Sequence, residues 1–363
     1  MAQYRKSTIK DVAAQAGVST TTVSVFVSGR AAVCSPETAE RIKTAIRTLH
    51  YTPSSLTQGL RQRATRTIGI CLWGGVASLF QFGYGFEHDF LRGVMAEADE
   101  RDYSLLYYPA SVRDSTSCDA FLDGRVDCVL YATPDGNTRK EKLVAAGLPV
   151  VSVWQSEGVP SGCGFVDADE RDVVHLALSH LWDLGHRRIA HLPGPVALRP
   201  EAGVHNIDTI ARQRFDAYRA WQSERGGFDP ALTAEAQTWE AGNAREALTA
   251  WRGLPEPPTA VFCANDTLAL SALTLAPEFG WSVPETLSVV GVDNVPMAGQ
   301  IWPGLTTVEV PVEQVGREAV RAVLALLDGR PADECRVVVP VSTLIVRGST
   351  STLSTFYRKE PLF

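Results

Sequence analysis

Apolar positions recur at helical spacing in three short blocks within the first fifty residues. Ile9, Val12, Ala13 and Ala16 fall on one face of a helix that Thr8 opens, and Asp11, three residues on, completes a capping box. Gly17 closes that helix, because glycine takes the left-handed conformation after a last turn at least cost. Ser19 caps a second helix, from 20 to about 27, with Val23, Phe26 and Val27 facing inward and Ser28-Gly29 as its stop. Ser35-Pro36-Glu37 reads as N-cap, proline at the first helical position and an acid in the first turn. It predicts a third helix to about residue 50, with Ala39, Ile42, Ile46 and Leu49 on one face.

Beyond residue 66 short apolar runs alternate with helical patterns. Strands are predicted over 67–72, 104–108, 128–131, 150–154, 188–192, 260–263 and 287–292. Helices are predicted over about 88–101, 137–146, 170–184, 209–225, 242–252 and 267–276. This alternation is that of a parallel α/β sheet, which binds ligands at the C-terminal ends of its strands. Those ends carry Trp73 (with Phe80, Phe82, Tyr84 and Phe86 in the loop after it), Trp154, Asn265-Asp266, Asp293-Asn294 and, one loop on, Trp302. Amide and carboxylate groups hydrogen-bond hydroxyls, and aromatic faces cover the apolar face of a sugar ring or a base. Ordinary core packing accounts equally well for any single aromatic here.

Composition changes this picture mainly through charge. Hydrophobic residues are 45% and charged residues 21% of 363, an ordinary globular balance. The net charge of -7 argues against a nucleic-acid partner, but it is unevenly spread. Residues 1–66 hold ten Lys/Arg and three Asp/Glu, a net +7, and the remainder holds 24 and 38, a net -14. A basic module on an acidic body meets phosphates while the body stays off them. The seven cysteines form no CxxC pair, so buried thiols are expected rather than zinc or disulfides. No apolar leader opens the chain and no stretch is long enough to span a bilayer, which points to the cytoplasm.

Two helices joined by a tight turn make a helix-turn-helix, whose second helix lies in the major groove, although any small helical bundle shares the pattern. The run TIKDVAAQAGVSTTTVS (8–24) is more specific, and resembles the opening signature of the lactose-repressor (LacI/GalR) family. YTPSSLTQGLR (51–61) stands where that family has its hinge helix. The resemblance continues in TIGI (67–70), LGHRRIA (184–190), FCANDTLA (262–269), VPETLSVVGVDN (283–294) and PGLTTV (303–308), in family order and over almost the whole chain.

The resemblance implies an all-α helix-turn-helix domain (1–52), a hinge helix and linker (53–66), and an α/β periplasmic-binding-protein-like core of two doubly wound, interleaved subdomains (67–348), followed by a tail (349–363). It places Thr20, Thr21 and Val25 at base-reading positions and Ser19, Thr22 and Ser24 at phosphate positions, and Arg30 joins this DNA-contacting set. Val25 stands where many members have Arg, so thymine methyls replace guanine as its natural contact. Leu60 matches the leucine that wedges into the minor groove, on a hinge too short and polar to hold a helix alone. Arg214, Asn265 and Asp293 match effector-binding positions, joined by Trp73, Tyr84, Phe86, Trp154 and Trp302.

The function so implied is a transcription regulator, by family habit a repressor. It binds a palindromic operator on double-stranded DNA as a homodimer, or as a tetramer. A small-molecule effector, a sugar or glycoside before a purine, controls it. No cofactor or metal is implied. Phosphate-loop, nucleophile-elbow and metalloprotease motifs are absent, which argues against an enzyme. A periplasmic binding protein would lack the helix-turn-helix, and a regulator without effector would not need the polar and aromatic cleft set.

Overall fold

The computed structural model describes residues 7–27, 34–51, 64–72, 86–113, 115–133, 137–196, 209–234, 239 and 242–353. The chain divides into two compact units, residues 1–66 and 67–363.

In the first unit α1 (Ile9–Ala16), α2 (Thr20–Val27) and α3 (Pro36–Thr48) enclose a core of Val12, Ala13, Ala16, Val23, Ile42 and Ala45. The Thr8 N–H donates to Asp11 Oδ2 at 2.8 Å, and the Asp11 N–H donates back to Thr8 Oγ1 at 3.4 Å. Gly17 takes φ +64° and turns the chain, and Ser19 Oγ accepts from the Thr22 N–H at 3.1 Å. One helix thus ends and the next begins within three residues. On α3 it is Ala45, not Ala39, that is fully buried beside Ile42.

The second unit holds two sheets. The first contains β1 (Thr67–Leu72), β2 (Ser104–Tyr107), β3 (Cys128–Ala132), β4 (Val150–Val153), β5 (Gly164–Ala168) and β10 (Arg336–Val339). The second contains β6 (Ile189–Leu192), β7 (Ala260–Cys263), β8 (Ser288–Val292), β9 (Thr306–Glu309) and β11 (Thr343–Ile345). Their orders are β10-β5-β4-β3-β1-β2, all parallel, and β11-β9-β8-β7-β6, parallel except for β11. β3, β4, β7 and β8 are buried along their whole length, as strands covered on both faces must be. The helices of this unit are α4 (Phe86–Glu100), α5 (Ala110–Arg113), α6 (Thr138–Ala145), α7 (Glu170–Asp183), α8 (Thr209–Ser223), α9 (Asn243–Arg252), α10 (Asp266–Leu275) and α11 (Val312–Leu327).

β5, β9, β10, β11, α5 and α11 go beyond the elements expected from the sequence. They reveal three crossings between the sheets, from β5 to α7, from β9 to α11 and from β10 to β11. The Asp169 N–H donates to the Val339 carbonyl at 2.9 Å and ties two of the crossings together. Each sheet with its helices therefore forms a lobe assembled from separate stretches of chain. α11 returns to the first lobe and packs on α4. There the helix backbones nearly touch, with Gly93 facing Glu313 and Gly316 facing Phe90 and Val94. Glu97, 1% exposed, is braced beside this contact by Arg101, Arg317 and Arg321, and the Arg321 and Arg101 guanidinium groups hold its carboxyl below the usual range. No helix among the described residues is long and apolar enough to cross a membrane.

Candidate functional site

In the first unit burial of Val23 fixes which side of α2 faces out. Ser19, Thr20 and Thr21 are exposed, and Thr22, Ser24 and Val25 are half-buried. Thr22 Oγ1 lies 2.8 Å from Ser19 Oγ, so both hydroxyls take part in the cap. The outer surface is a row of hydroxyls at the start of a helix, bordered by Val25. Arg30, Leu60 and the hinge segment around Leu60 lie outside the described residues.

In the second unit a cleft opens between the lobes at the ends of the strands. The first lobe lines it with Phe86, Glu87, Ala132, Thr133, Trp154 and Gln155, and the second with Thr209, Ile210, Arg214, Trp239, Asn265 and Asp293. Of the expected effector residues, Phe86, Trp154, Arg214, Asn265 and Asp293 come together here. Trp73 and Tyr84, like Phe80 and Phe82, lie outside the described residues. Trp302 is elsewhere: it is 93% exposed and does not line the cleft. Ala298, Met297 and Ile301 occupy the inward-facing positions of its segment, which leaves Trp302 on the outside.

Each cleft residue is held by local structure. Trp154 directly follows β4 at φ +57° and is covered by the rings of Phe86 and Phe90, with centroids 4.5 and 4.6 Å away. Asn265 is the N-cap of α10, and its Oδ1 accepts the Leu268 N–H at 2.8 Å, so the cap commits its oxygen and not its amide nitrogen. Lys140, fully buried, donates to Gln155 Oε1 at 2.8 Å and likewise fixes which end of that amide is committed.

Arg214 is 2% exposed; its Nε donates to Glu170 Oε2 at 2.5 Å and its Nη1 to the Ala264 carbonyl. Glu170 is the first residue of α7, directly after the first crossing, so the arginine is anchored to the joint between the lobes. Asp293 follows β8 at φ +106°, and its carboxylate makes no hydrogen bond among the described residues. Burial pushes its pKa well above the usual carboxylate range. Arg214 opposes this, and Asp266, Glu170 and Glu87 add to the rise. Asp266 beneath it is structural, accepting from the Thr307 hydroxyl at 2.6 Å and the Val295 N–H at 2.9 Å.

Sequence reasoning passed over Glu87, Thr133, Gln155, Thr209, Ile210, Glu170 and Trp239. Thr133 and Gln155 carry the same signal as Trp154, a position at or just past a strand end. Glu87 is an acid directly after an aromatic run. Trp239 lies in a connection with no periodicity to mark it.

The family model for bacterial regulatory proteins of the lacI family matches residues 8–54, and that for the periplasmic binding protein-like domain matches residues 178–350. This chain belongs to the lacI family. The HTH-type transcriptional repressor CytR of Escherichia coli (strain K12) is 28% identical over 369 residues, covering 97% of this chain and 98% of the relative. The HTH-type transcriptional repressor PurR of Haemophilus influenzae (strain PittEE) is 28% identical over 324 residues, covering 88% and 90%. Among solved structures, the lac repressor dimer bound to operator and the anti-inducer ONPF superposes with a TM-score of 0.76 at 25% identity, covering 96% of this chain and 100% of that one. The transcriptional regulator CelR in complex with cellobiose gives 0.67 at 28% identity, covering 95% and 100%. This lacI-family chain is accordingly a DNA-binding transcription regulator with an effector-binding core, and not an enzyme.

Proposed function

We propose that this regulator is a repressor that binds a near-palindromic operator as a homodimer and changes its grip when a sugar or glycoside enters the cleft. The observation that carries this reading is the meeting of Asp293, Asn265 and Arg214 with the rings of Trp154 and Phe86, between two lobes, in a chain whose other unit is a helix-turn-helix. The cleft encloses about 170 Å³. That is the scale of the ~150 Å³ cavity that takes one six-membered ring. The sugar then lies as a single ring against the aromatics, with a glycoside's second group directed outward. Exposed Trp302 suits a subunit interface, where a large apolar side chain gains most by being covered. The arrangement also suits a switch: a ligand bridging Asp293 and the first lobe alters the closure of the cleft, and with it the spacing of the segments that lead to the DNA-reading units. A coupling of about 1–3 kcal/mol suffices to change operator occupancy several-fold or more.

Three outcomes test the reading. Operator binding by the full chain is expected to weaken steeply with salt, and residues 67–363 alone are expected to show none; binding retained by that body in a gel-shift titration overturns the division of roles. Val25→Arg is expected to move the half-site preference toward guanine by about 1–3 kcal/mol, read in a randomised-site selection. An unchanged preference removes Val25 from the reading surface. Asp293→Ala is expected to leave operator affinity near normal and to weaken effector binding by about tenfold to a hundredfold, the loss of one hydrogen bond to a charged group. An intact effector response makes this carboxylate structural.

A further inference from the structure

Glu87 is a buried acid with one carboxylate oxygen that the described residues leave unsatisfied. Of the other carboxylates at the cleft, Glu170 is matched by Arg214, Asp266 is held by Thr307 and Val295, and Asp293 stands at an expected effector position. Glu87 is the second residue of α4 and is 6% exposed, and its Oε2 is covered and has no hydrogen-bond partner among the described residues. A helix N-terminus favours an acid in its first turn, but half-buried Asp89 meets that preference with its side chain still open to solvent. Burying a carboxylate oxygen unsatisfied is costly, and a leucine in the same place would carry no such cost. Burial raises the Glu87 pKa, and Glu87 in turn adds to the rise at Asp293.

The charges around this space are one-sided. Among the described lining residues Glu87 and Asp293 are acids, and the charge of the cation Arg214 is already matched by Glu170. Each lobe thus contributes one carboxylate able to accept hydrogen bonds. Resting on the reading of the cleft as a sugar site, we propose that Glu87 selects the effector. It accepts a hydroxyl of an uncharged polyhydroxylated ring from the first-lobe side and bars sugars that carry a phosphate or carboxylate. The ligand's hydroxyl supplies the hydrogen bond that Oε2 lacks among the described residues, while an anionic substituent brings a further negative charge against two acids whose ionisation burial already opposes, in a covered space where repulsion is least screened.

The test uses the full chain and its Glu87→Gln and Glu87→Leu variants. Thermal shift and then titration calorimetry compare glucose, galactose, xylose, arabinose, ribose and their methyl glycosides with glucuronate, galacturonate, glucose 6-phosphate and ribose 5-phosphate, and with guanine and adenosine. A neutral sugar is expected to bind the wild type at least about a hundredfold more tightly than its acidic or phosphorylated counterpart. Glu87→Gln should weaken the neutral sugar by about tenfold or more and cut the discrimination against the anion to about tenfold. Glu87→Leu should lose the sugar yet melt higher than the wild type when no ligand is present, which a merely structural acid would not do. Equal or tighter binding of the anionic sugar, or unaltered discrimination in Glu87→Gln, overturns the assignment of Glu87 and leaves the sugar reading standing. Binding of only a nucleobase or nucleoside, or of nothing in the panel, overturns the sugar reading and this inference with it.

Discussion

Arg214→Ala is expected to cost the unit of residues 67–363 about 3–5 kcal/mol of stability, the range for stripping one partner from a buried ion pair. Arg214 and Glu170 each expose only 3% of their side chains, and the carboxylate left behind is a buried charge without its cation. The loss is expected to lower the melting temperature by on the order of 10 °C. Replacing both partners, Arg214→Met with Glu170→Leu, should recover most of it, because two apolar groups need neither charge nor hydrogen bond. Effector binding should be lost in the single and the double variant alike, which separates the ligand contact from the structural pairing. A single variant that melts within a degree or two of the wild type refutes the pairing as a stabilising element.

Gly93→Ala is expected to be at least as damaging, at about 3 kcal/mol or more. A methyl on Gly93 overlaps the Glu313 carbonyl oxygen, and one on Gly316 overlaps the Phe90 carbonyl oxygen. Both obstacles are backbone, so no side chain can swing aside and α4 and α11 must move apart. Alanine's better helix propensity returns only about 1 kcal/mol and does not change the sign. Once the helices have separated, a second methyl meets less resistance, so the double variant should lose less than the two single losses added together. Chemical denaturation of the three variants measures this. Additive losses would show that the two glycines act at independent contacts.

Local signals made much of this legible in the sequence. Thr8, Asp11, Gly17, Ser19 and Ser35-Pro36 each act within a few residues of themselves, so their caps and turns could be read directly. The two-sided strands announced themselves as unbroken apolar runs, as in Cys128–Ala132. α11 has an equally plain pattern, with Val312, Val315, Ala319, Val320 and Val323 spaced three and four apart. What the pattern does not state is that this face covers the first lobe after the chain has passed through the second. β10 is an edge strand with alternating exposure and β11 has only three residues, too little for periodicity to mark. In the cleft, Asp293, Asn265 and Arg214 were legible through the family resemblance, and Trp154 and Phe86 through their place near strand ends. Trp302 shared that last feature with them, and only the packing of Ala298, Met297 and Ile301 sends it outward. Glu87 went unread because an acid in a first helical turn is ordinary until its burial is known.

The three crossings between lobes also set an order of events on the ribosome. The helix-turn-helix and β1 to β5 emerge before anything else, yet the first lobe still lacks α11 and β10. The 144 positions from Ala168 to Val312 take about 7–30 s to synthesise at common elongation rates. For that interval the β5 edge is unpaired and the surface destined for α11 faces water, while the second lobe is being made. A message cut short before residue 312 would release a complete DNA-reading unit tethered to an unfinished sheet with an open edge, the combination most prone to aggregate.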